Sequence, residues 1–167
     1  DDLVPTITAR LDRIGAIAGD LATVEEMYAL KALMQSLGSA NIDCRQDGAK
    51  LDPACAAGWR FNSTIAGIDK CDALLLVGTN PRWEAPIINA RIRKTGLNKR
   101  IKVAMIGENV DLTYPTTYIG AGADSLKELI AGKHSFSDVL KKAQNPMIIL
   151  GAGAMMREDG AAIQALA

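Results

Sequence analysis

The chain has 167 residues, which suits one domain, and 49% of them are hydrophobic while only 4% are aromatic, a composition that favours a layered α/β protein. Its 19 basic and 19 acidic side chains cancel, which removes the attraction that a nucleic-acid-binding protein needs, so no nucleic-acid partner is expected. The longest apolar runs are too short to cross a bilayer, so direct membrane insertion is not expected either.

The first part of the chain predicts one helix between two short strands. Residues 14–18 form a small apolar run and are predicted as the first strand, and residues 41–45 are predicted as the second. Between them, Thr23 and Glu26 have capping-box spacing, and apolar residues recur at helical intervals as far as Gly38. This spacing is typical of an amphipathic helix with a well-defined start and stop.

The central stretch, residues 71–94, predicts a strand, a stiff loop and a helix in succession. Residues 73–77 are an unbroken apolar run, which is typical of a parallel strand covered on both faces. Asn80-Pro81 is a turn dipeptide, and Pro86 lies where a helix tolerates proline, in its first turn. Gly96 offers a stop for that helix.

Strands and helices continue to alternate after this unit. Residues 101–106 and 147–150 are predicted strands, and residues 111–122 between them are rich in turn-forming residues. Asp124 offers a cap for a short helix that follows the turns. The pattern is that of a sheet built from strand–helix–strand units.

The alternation predicts an α/β fold with a Rossmann-like layered parallel sheet of about five strands and helices on both faces, in a single domain over residues 1–167. Ligand clefts in such sheets form where the strand order reverses, and the loops after residues 14–18 and 73–77 are placed to flank such a point. We therefore expect the strand order 2-1-3-4-5, with those two strands adjacent. Because the chain opens on Asp1 and closes inside an apolar segment, we also expect a fragment of a longer polypeptide.

Five ordered blocks of sequence carry a resemblance to a known family. The main block is Gly78-Thr79-Asn80-Pro81-Arg82-Trp83-Glu84-Ala85-Pro86, followed by Asn89-Ala90-Arg91-Ile92-Arg93-Lys94, and the others are residues 41–49, 61–67, 111–114 and 157–162. Together they resemble the molybdopterin-oxidoreductase-like region of the large iron–sulfur subunit of respiratory complex I, the NADH:quinone oxidoreductase. The similarity covers nearly the whole chain after residue 13.

The resemblance implies a structural domain, without its own redox centre, in a complex that passes electrons from NADH along iron–sulfur clusters to quinone. It implies partners among the other peripheral-arm subunits, at the cytoplasmic face of the bacterial inner membrane or the matrix side of the mitochondrial one. The family holds its clusters in an N-terminal region whose cysteine-rich motifs are absent from this sequence, so no cofactor is expected here. Two alternatives stay open: part of a molybdopterin-dependent oxidoreductase such as a formate dehydrogenase, or a nucleotide- or coenzyme-binding module.

The candidate cofactor-binding site is a loop that consists of Gly78, Thr79, Asn80 and Pro81. The loop follows a strand and leads to a helix N-terminus, where backbone N–H groups attract anions. In molybdenum enzymes the similar loop borders the pterin cofactor, and the resemblance implies a vestigial form of it here. We expect the loop to support the fold, with Asn80 bonded to nearby backbone and the Trp83 ring buried against neighbouring elements. No catalytic residue is predicted.

The cysteines and the histidine predict no metal site. Cys44, Cys55 and Cys71 are separated by too many residues for the usual zinc or iron–sulfur motifs. His134 has no carboxylate or thiol beside it in the sequence, so a surface or structural role is expected.

A glycine motif and a run of basic residues are the remaining candidate sites. Gly151-Ala152-Gly153 resembles the start of a dinucleotide fingerprint, but Met156 stands where the third glycine would be. A run of basic residues is interpreted as a solvated face, with docking to an acidic neighbouring subunit as the alternative. Its members are Arg91, Arg93, Lys94, Lys99, Arg100 and Lys102.

Overall fold

The computed structural model describes residues 13–44, 48–52, 54–99 and 101–167 of the chain. The chain divides into two compact units, Asp1–Gly48 and Ala49–Ala167, and each is described by itself. The single domain expected over residues 1–167 therefore stays a prediction. Residue 45 of the second predicted strand, and residues 45–47 of the matching sequence block, lie outside the described residues.

The first unit contains a helix between two short parallel strands, as predicted. Strand β1 (Ala16–Ile17) pairs with strand β2 (Ile42–Asp43), and helix α1 (Val24–Ser36) lies between them in sequence. The capping box forms: the Glu26 N–H donates to Thr23 Oγ1 at 3.2 Å, and the Thr23 N–H donates to Glu26 Oε2 at 2.7 Å. The local signal at the helix start is therefore confirmed in detail, whereas both strands are shorter than predicted.

The second unit is built on a parallel sheet. Its strands are β3 (Ala73–Val77), β4 (Lys102–Ile106), β5 (Thr117–Gly120) and β6 (Pro146–Leu150), in the order β5-β4-β3-β6. All three pairings are parallel. Every residue of β3 is buried, as its unbroken apolar run predicts.

Helices connect these strands and cover both faces of the sheet. They are α2 (Thr64–Gly67), α3 (Pro81–Glu84), α4 (Pro86–Lys99), α5 (Ala123–Ile130), α6 (Ser135–Lys142), α7 (Ala152–Met155) and α8 (Gly160–Leu166), with 3-10 turns at Ala56–Gly58 and Ile68–Lys70. Side chains alternate across the strands. Leu75 and its same-face neighbours pack with the apolar residues of α5, α6 and α8, while Leu74 and its neighbours pack with Ile92 of α4 and Ile68. The α/β class and the helices on both faces are confirmed.

The expectation of one sheet of about five strands in the order 2-1-3-4-5 is wrong. Among the described residues the structure has a four-stranded sheet and a separate two-stranded pair. Both edges of β3 are taken by β4 and β6, so β3 does not lie beside residues 14–18 in a sheet. Strand β5 falls within residues 111–122, where turn-forming residues obscure a short strand that pairs with β4.

Two local predictions are also wrong. Helix α4 does not stop at Gly96 but continues to Lys99, since a helix interior tolerates glycine at a cost of about 1 kcal/mol. A Cβ at Gly96 would lie 3.2 Å from Ile101 Cγ2, so the glycine lets Ile101 pack closely against the helix. Asp124 does not cap α5, because Gly122 holds the cap position and Asp124 instead bonds Lys127 Nζ at 2.9 Å.

Candidate functional site

The candidate loop lies where the strand order of the sheet reverses. From β3 the chain moves outward to β4 and β5 and then returns to β6 on the other side of β3. In open α/β sheets such a reversal, at the carboxyl ends of the strands, is the usual place for a ligand cleft. The loops that follow β3 and β6, which start at Gly78 and Gly151, meet at this point.

Two polar donors of the loop bond to a carboxylate from within the chain. Thr79 Oγ1 donates to Glu84 Oε2 at 3.0 Å, and the Asn80 N–H donates to Glu84 Oε1 at 2.6 Å. Glu84 therefore occupies the position in which this loop would otherwise hold an anion. Sequence reasoning missed this residue, although an acid four residues after Asn80, in the first turn of α3, was a signal for it.

The reversal point itself is filled by backbone. Gly78 has a φ of +58°, and a Cβ there would lie 2.6 Å from Ala154 Cβ. A Cβ at Gly151 would lie 2.0 Å from the Gly78 carbonyl oxygen, and the Gly151 N–H donates to the Val77 carbonyl at 2.9 Å. The two loops thus pack in direct contact. With Glu84 on the donors, the loop does not fit an anionic cofactor group.

Pro81 is packed into the fold, but the side chain of Asn80 does not make the hydrogen bond expected of it. Pro81 is fully buried at the first position of α3. The Asn80 side chain does not cap that helix, and its buried Oδ1 has no hydrogen-bond partner among the described residues. The expected bond from this side chain to nearby backbone is therefore wrong, and the backbone N–H of Asn80 carries the contact with Glu84 instead.

The expected burial of Trp83 is wrong. Its side chain is 80% exposed, and Ile87 one turn further on is 71% exposed. Helix α3 is a single turn that buries Pro81, which places Trp83 on the outward side. The ring therefore contributes little to the packing of the loop in this chain.

A glycine-lined cavity of about 280 Å³ lies beside the loop, at the carboxyl ends of β3 and β4. Gly78, Gly107, Gly122 and Gly153 contribute to its wall, which also includes the charged side chain of Arg157. Both Arg157 Nε and Nη2 donate to the Asp159 carboxylate, at 2.6 and 2.9 Å. These bonds hold the pKa of Asp159 below its usual value, and they partly neutralise the guanidinium on the cavity wall.

The cysteines differ in their surroundings. Cys44 and Cys55 are exposed, whereas Cys71 is buried and its thiol donates to the Ala73 carbonyl at 3.0 Å. Burial raises the pKa of the Cys71 thiol to about 11, so this sulfur stays protonated at neutral pH. Within the part of the chain that the structure describes, no group of three or more His, Cys, Asp and Glu side chains could hold a metal ion.

His134 has a local structural partner. Its Nδ1 accepts from the Phe136 N–H at 3.1 Å, which makes the histidine the cap of α6. The start of this helix carries no Thr, Asp or Asn at the cap position, which is why sequence patterns do not single out the histidine.

The basic run is partly used within the fold. Arg91 Nη1 bonds Asp69 at 2.7 Å, and Arg93 Nε donates to the Thr113 carbonyl at 3.4 Å. Lys94 and Lys102 are exposed, and Arg100 lies outside the described residues.

The described residues also contain no helix whose length and hydropathy would let it traverse a bilayer.

Comparisons with known proteins show what this chain is similar to. A family model described as molybdopterin oxidoreductase matches residues 6–167. The chain belongs to the molybdopterin oxidoreductase family. Within the family it is 42% identical, over 91% of its length, to the mitochondrial NADH dehydrogenase [ubiquinone] iron–sulfur protein 1 of Solanum tuberosum. It is 43% identical, over 93% of its length, to an NADH-quinone oxidoreductase subunit of Rickettsia felis.

The resemblance to the large iron–sulfur subunit of complex I is thus confirmed. The chain spans 21% of the plant relative and 23% of the Rickettsia relative, so it corresponds to about a fifth of each. Among solved structures, the formyltransferase/hydrolase complex of Methylorubrum extorquens, determined with methylofuran, aligns with 99% of this chain and 53% of that one. The TM-score is 0.63 at 22% identity, which supports the fold alone.

Proposed function

We propose that this chain is a structural domain of the large iron–sulfur subunit of NADH:quinone oxidoreductase and has no redox centre of its own. In this proposal the whole complex passes electrons from NADH through iron–sulfur clusters to quinone, and the clusters lie in other parts of the subunit. The partners are other peripheral-arm subunits, at the cytoplasmic face of the bacterial inner membrane or the matrix side of the mitochondrial one.

The observation that carries the scaffold role is the Glu84 carboxylate on the loop donors. A loop that binds an anionic cofactor keeps its N–H and O–H donors free for the ligand. Here Thr79 and Asn80 donate to Glu84 instead, and Gly151 packs against the Gly78 carbonyl. A loop built in this way holds β3, α3 and β6 in place.

Metal analysis of the purified chain tests the absence of a redox centre. We expect less than stoichiometric molybdenum, iron and zinc by elemental analysis, because the described residues contain no group of three or more His, Cys, Asp and Glu side chains that could hold a metal ion. One metal ion per chain would contradict the proposal and favour the alternative of a molybdopterin-dependent oxidoreductase.

A nucleotide- or coenzyme-binding module is the second candidate, and the 280 Å³ cavity with Arg157 on its wall favours it. If that cavity binds NADH or guanosine diphosphate with a Kd of about 10 μM, then about 1 mM of ligand stabilises the fold by about 2.7 kcal/mol, which raises the Tm by several degrees. The scaffold proposal expects no rise. Arg157→Gln is the matched variant, since a shift that it abolishes would locate the ligand in this cavity.

A further inference from the structure

Among the described residues, nothing pairs with the backbone of β6 along one of its sides. On its inner side the Asp72 N–H donates to the Asn145 carbonyl at 3.3 Å, and the Gly151 N–H donates to the Val77 carbonyl at 2.9 Å. Because backbone groups alternate along a strand, the N–H and C=O groups of Ile148 and Leu150 point away from β3. Strand β6 is the last in the sheet order, so no strand among the described residues pairs with these groups.

An apolar groove of about 490 Å³ runs along this open edge. Trp59 and Phe61 line it and are 45% and 43% exposed. Ile148, which lines the same groove, is 39% exposed, although Leu75 beside it in register is 1% exposed. The face of the sheet that α5, α6 and α8 cover is therefore left open at β6, and two aromatic rings stand next to the opening.

A buried donor in the wall of the groove also lacks a partner. Gln164 Oε1, on α8, accepts from the Asp52 N–H at 3.2 Å. Its Nε2 lies against Gly58, is buried, and has no hydrogen-bond partner among the described residues. An unpaired buried amide donor is costly, but this nitrogen is shielded from the groove, so the proposal below does not depend on it.

We propose that the groove holds an extended segment of polypeptide, which adds a strand beside β6. Its carbonyl groups would accept from the Ile148 and Leu150 N–H groups, and its N–H groups would donate to the Ile148 and Leu150 carbonyls. An apolar side chain of the segment would fill the space beside Trp59 and Phe61. Strand addition uses this combination of main-chain bonds and a side-chain pocket.

The segment comes from the same, longer polypeptide. The chain spans only 21% and 23% of the relatives that it matches, so such relatives carry several times as much polypeptide that can supply a strand. This source rests on the proposed function, whereas the hydrogen-bond chemistry of the groove does not. A second copy of the chain is the other occupant that the test separates.

Amide hydrogen exchange tests the proposal in two proteins: the 167-residue chain, and the complete polypeptide encoded by the reading frame that contains it. We expect the Ile148 and Leu150 amides to exchange rapidly in the chain and at least about 100-fold more slowly in the complete polypeptide. Equal exchange in both proteins would overturn the proposal, as would a reading frame that encodes no further segment. Protection that rises with the concentration of the 167-residue chain would assign the groove to a second copy and would also overturn it.

Two tryptophan variants sharpen the test. In the complete polypeptide, Trp59→Ala is expected to speed the exchange of the Ile148 and Leu150 amides by about tenfold, because it removes the pocket for the segment. Trp83→Ala is the matched control, since its ring is also exposed but does not line the groove, and it is expected to leave these amides unchanged. Equal effects of the two variants would overturn the assignment. Failure of this test would leave the metal analysis, and therefore the proposed function, unaffected.

Discussion

The two loops at the carboxyl ends of β3 and β6 differ from the open edge of β6 in how their polar groups are satisfied. At the loops, the donors of Thr79 and Asn80 meet Glu84, and the Gly151 N–H meets the Val77 carbonyl. Along the outer edge of β6, the outward backbone groups and Gln164 Nε2 have no partner within the described residues.

This contrast distinguishes the loop of residues 78–81, which supports the fold, from the groove beside β6, which we propose receives a strand. The family resemblance draws attention to residues 78–81, where Glu84 accepts from two donors of the loop, although the buried Asn80 Oδ1 has no partner among the described residues. The groove beside β6 is not marked by any motif, but it combines apolar surface with strand-edge N–H groups that no described strand pairs with. Fold analogy alone does not locate a binding surface, and the feature that distinguishes the groove from the loop is the open edge of β6.

The largest expected effect is that of Gly151→Ala. Its Cβ would lie 2.0 Å from the Gly78 carbonyl oxygen, and neither backbone segment can move without disturbing β3 or β6. We expect a loss of about 3 kcal/mol or more in the free energy of unfolding, measured by urea denaturation. Gly153→Ala is the control, because its Cβ would stand 3.9 Å from the same oxygen. A small gain from helix propensity, below about 1 kcal/mol, is expected there.

A smaller effect is expected from Glu84→Ala in the 167-residue chain. The change leaves Thr79 Oγ1 and the Asn80 N–H without their acceptor, which should lower the free energy of unfolding by about 1–2 kcal/mol. Glu108→Ala removes another exposed acid and should stay within about 0.5 kcal/mol of the wild type. If both variants behaved alike, the loop would not be held by Glu84.

The other end of the β3–β6 pair gives a pH-dependent effect. The Asp72 carboxylate accepts from the N–H groups of Gln144 and Asn145 at 2.7 and 3.0 Å. These hydrogen bonds, that from Gln144 foremost, hold its pKa below the usual value. A lowered folded-state pKa means that the stabilisation is present above the unfolded pKa of about 3.9 and is lost as the pH falls through the folded pKa. The Tm difference between wild type and Asp72→Ala should therefore be largest near pH 7 and shrink below about pH 4. A difference that does not change with pH would contradict this role.

The smallest effect is expected from Trp83→Ala. A ring that is 80% exposed buries little surface, so the free energy of unfolding of the isolated chain should change by less than about 0.5 kcal/mol. Thermal denaturation measures it. A loss near about 3 kcal/mol would show that the ring packs against the fold, as the sequence alone suggested.

Features that depend on neighbours in sequence were predictable. The capping box of Thr23 and Glu26, the buried strand Ala73–Val77 and the proline at the start of α4 follow from local spacing and backbone chemistry. The pairing of β3 with both β4 and β6 depends on contacts between residues far apart in sequence, which apolar runs do not encode. The orientation of Trp83 depends on a single helical turn, and turn residues around Thr117–Gly120 hide the strand there.

In the candidate site, too, the local features were predictable and the contacts between distant residues were not. The position of the loop after β3 could be predicted, because a strand end and a helix start fix it. Its closure could not, since it depends on Glu84 folding back over Asn80 and on Gly151 arriving from a strand about 70 residues later in the sequence. The open edge of β6 likewise becomes visible only when the strand order is known.

The most direct test of the scaffold role is Glu84→Ala in the assembled NADH:quinone oxidoreductase. The account predicts a lower Tm for the isolated chain, while NADH-to-quinone turnover per assembled complex stays within about twofold of the wild type. An unchanged Tm together with the loss of turnover in correctly assembled complex would contradict it, and the loop would then have to act on a ligand.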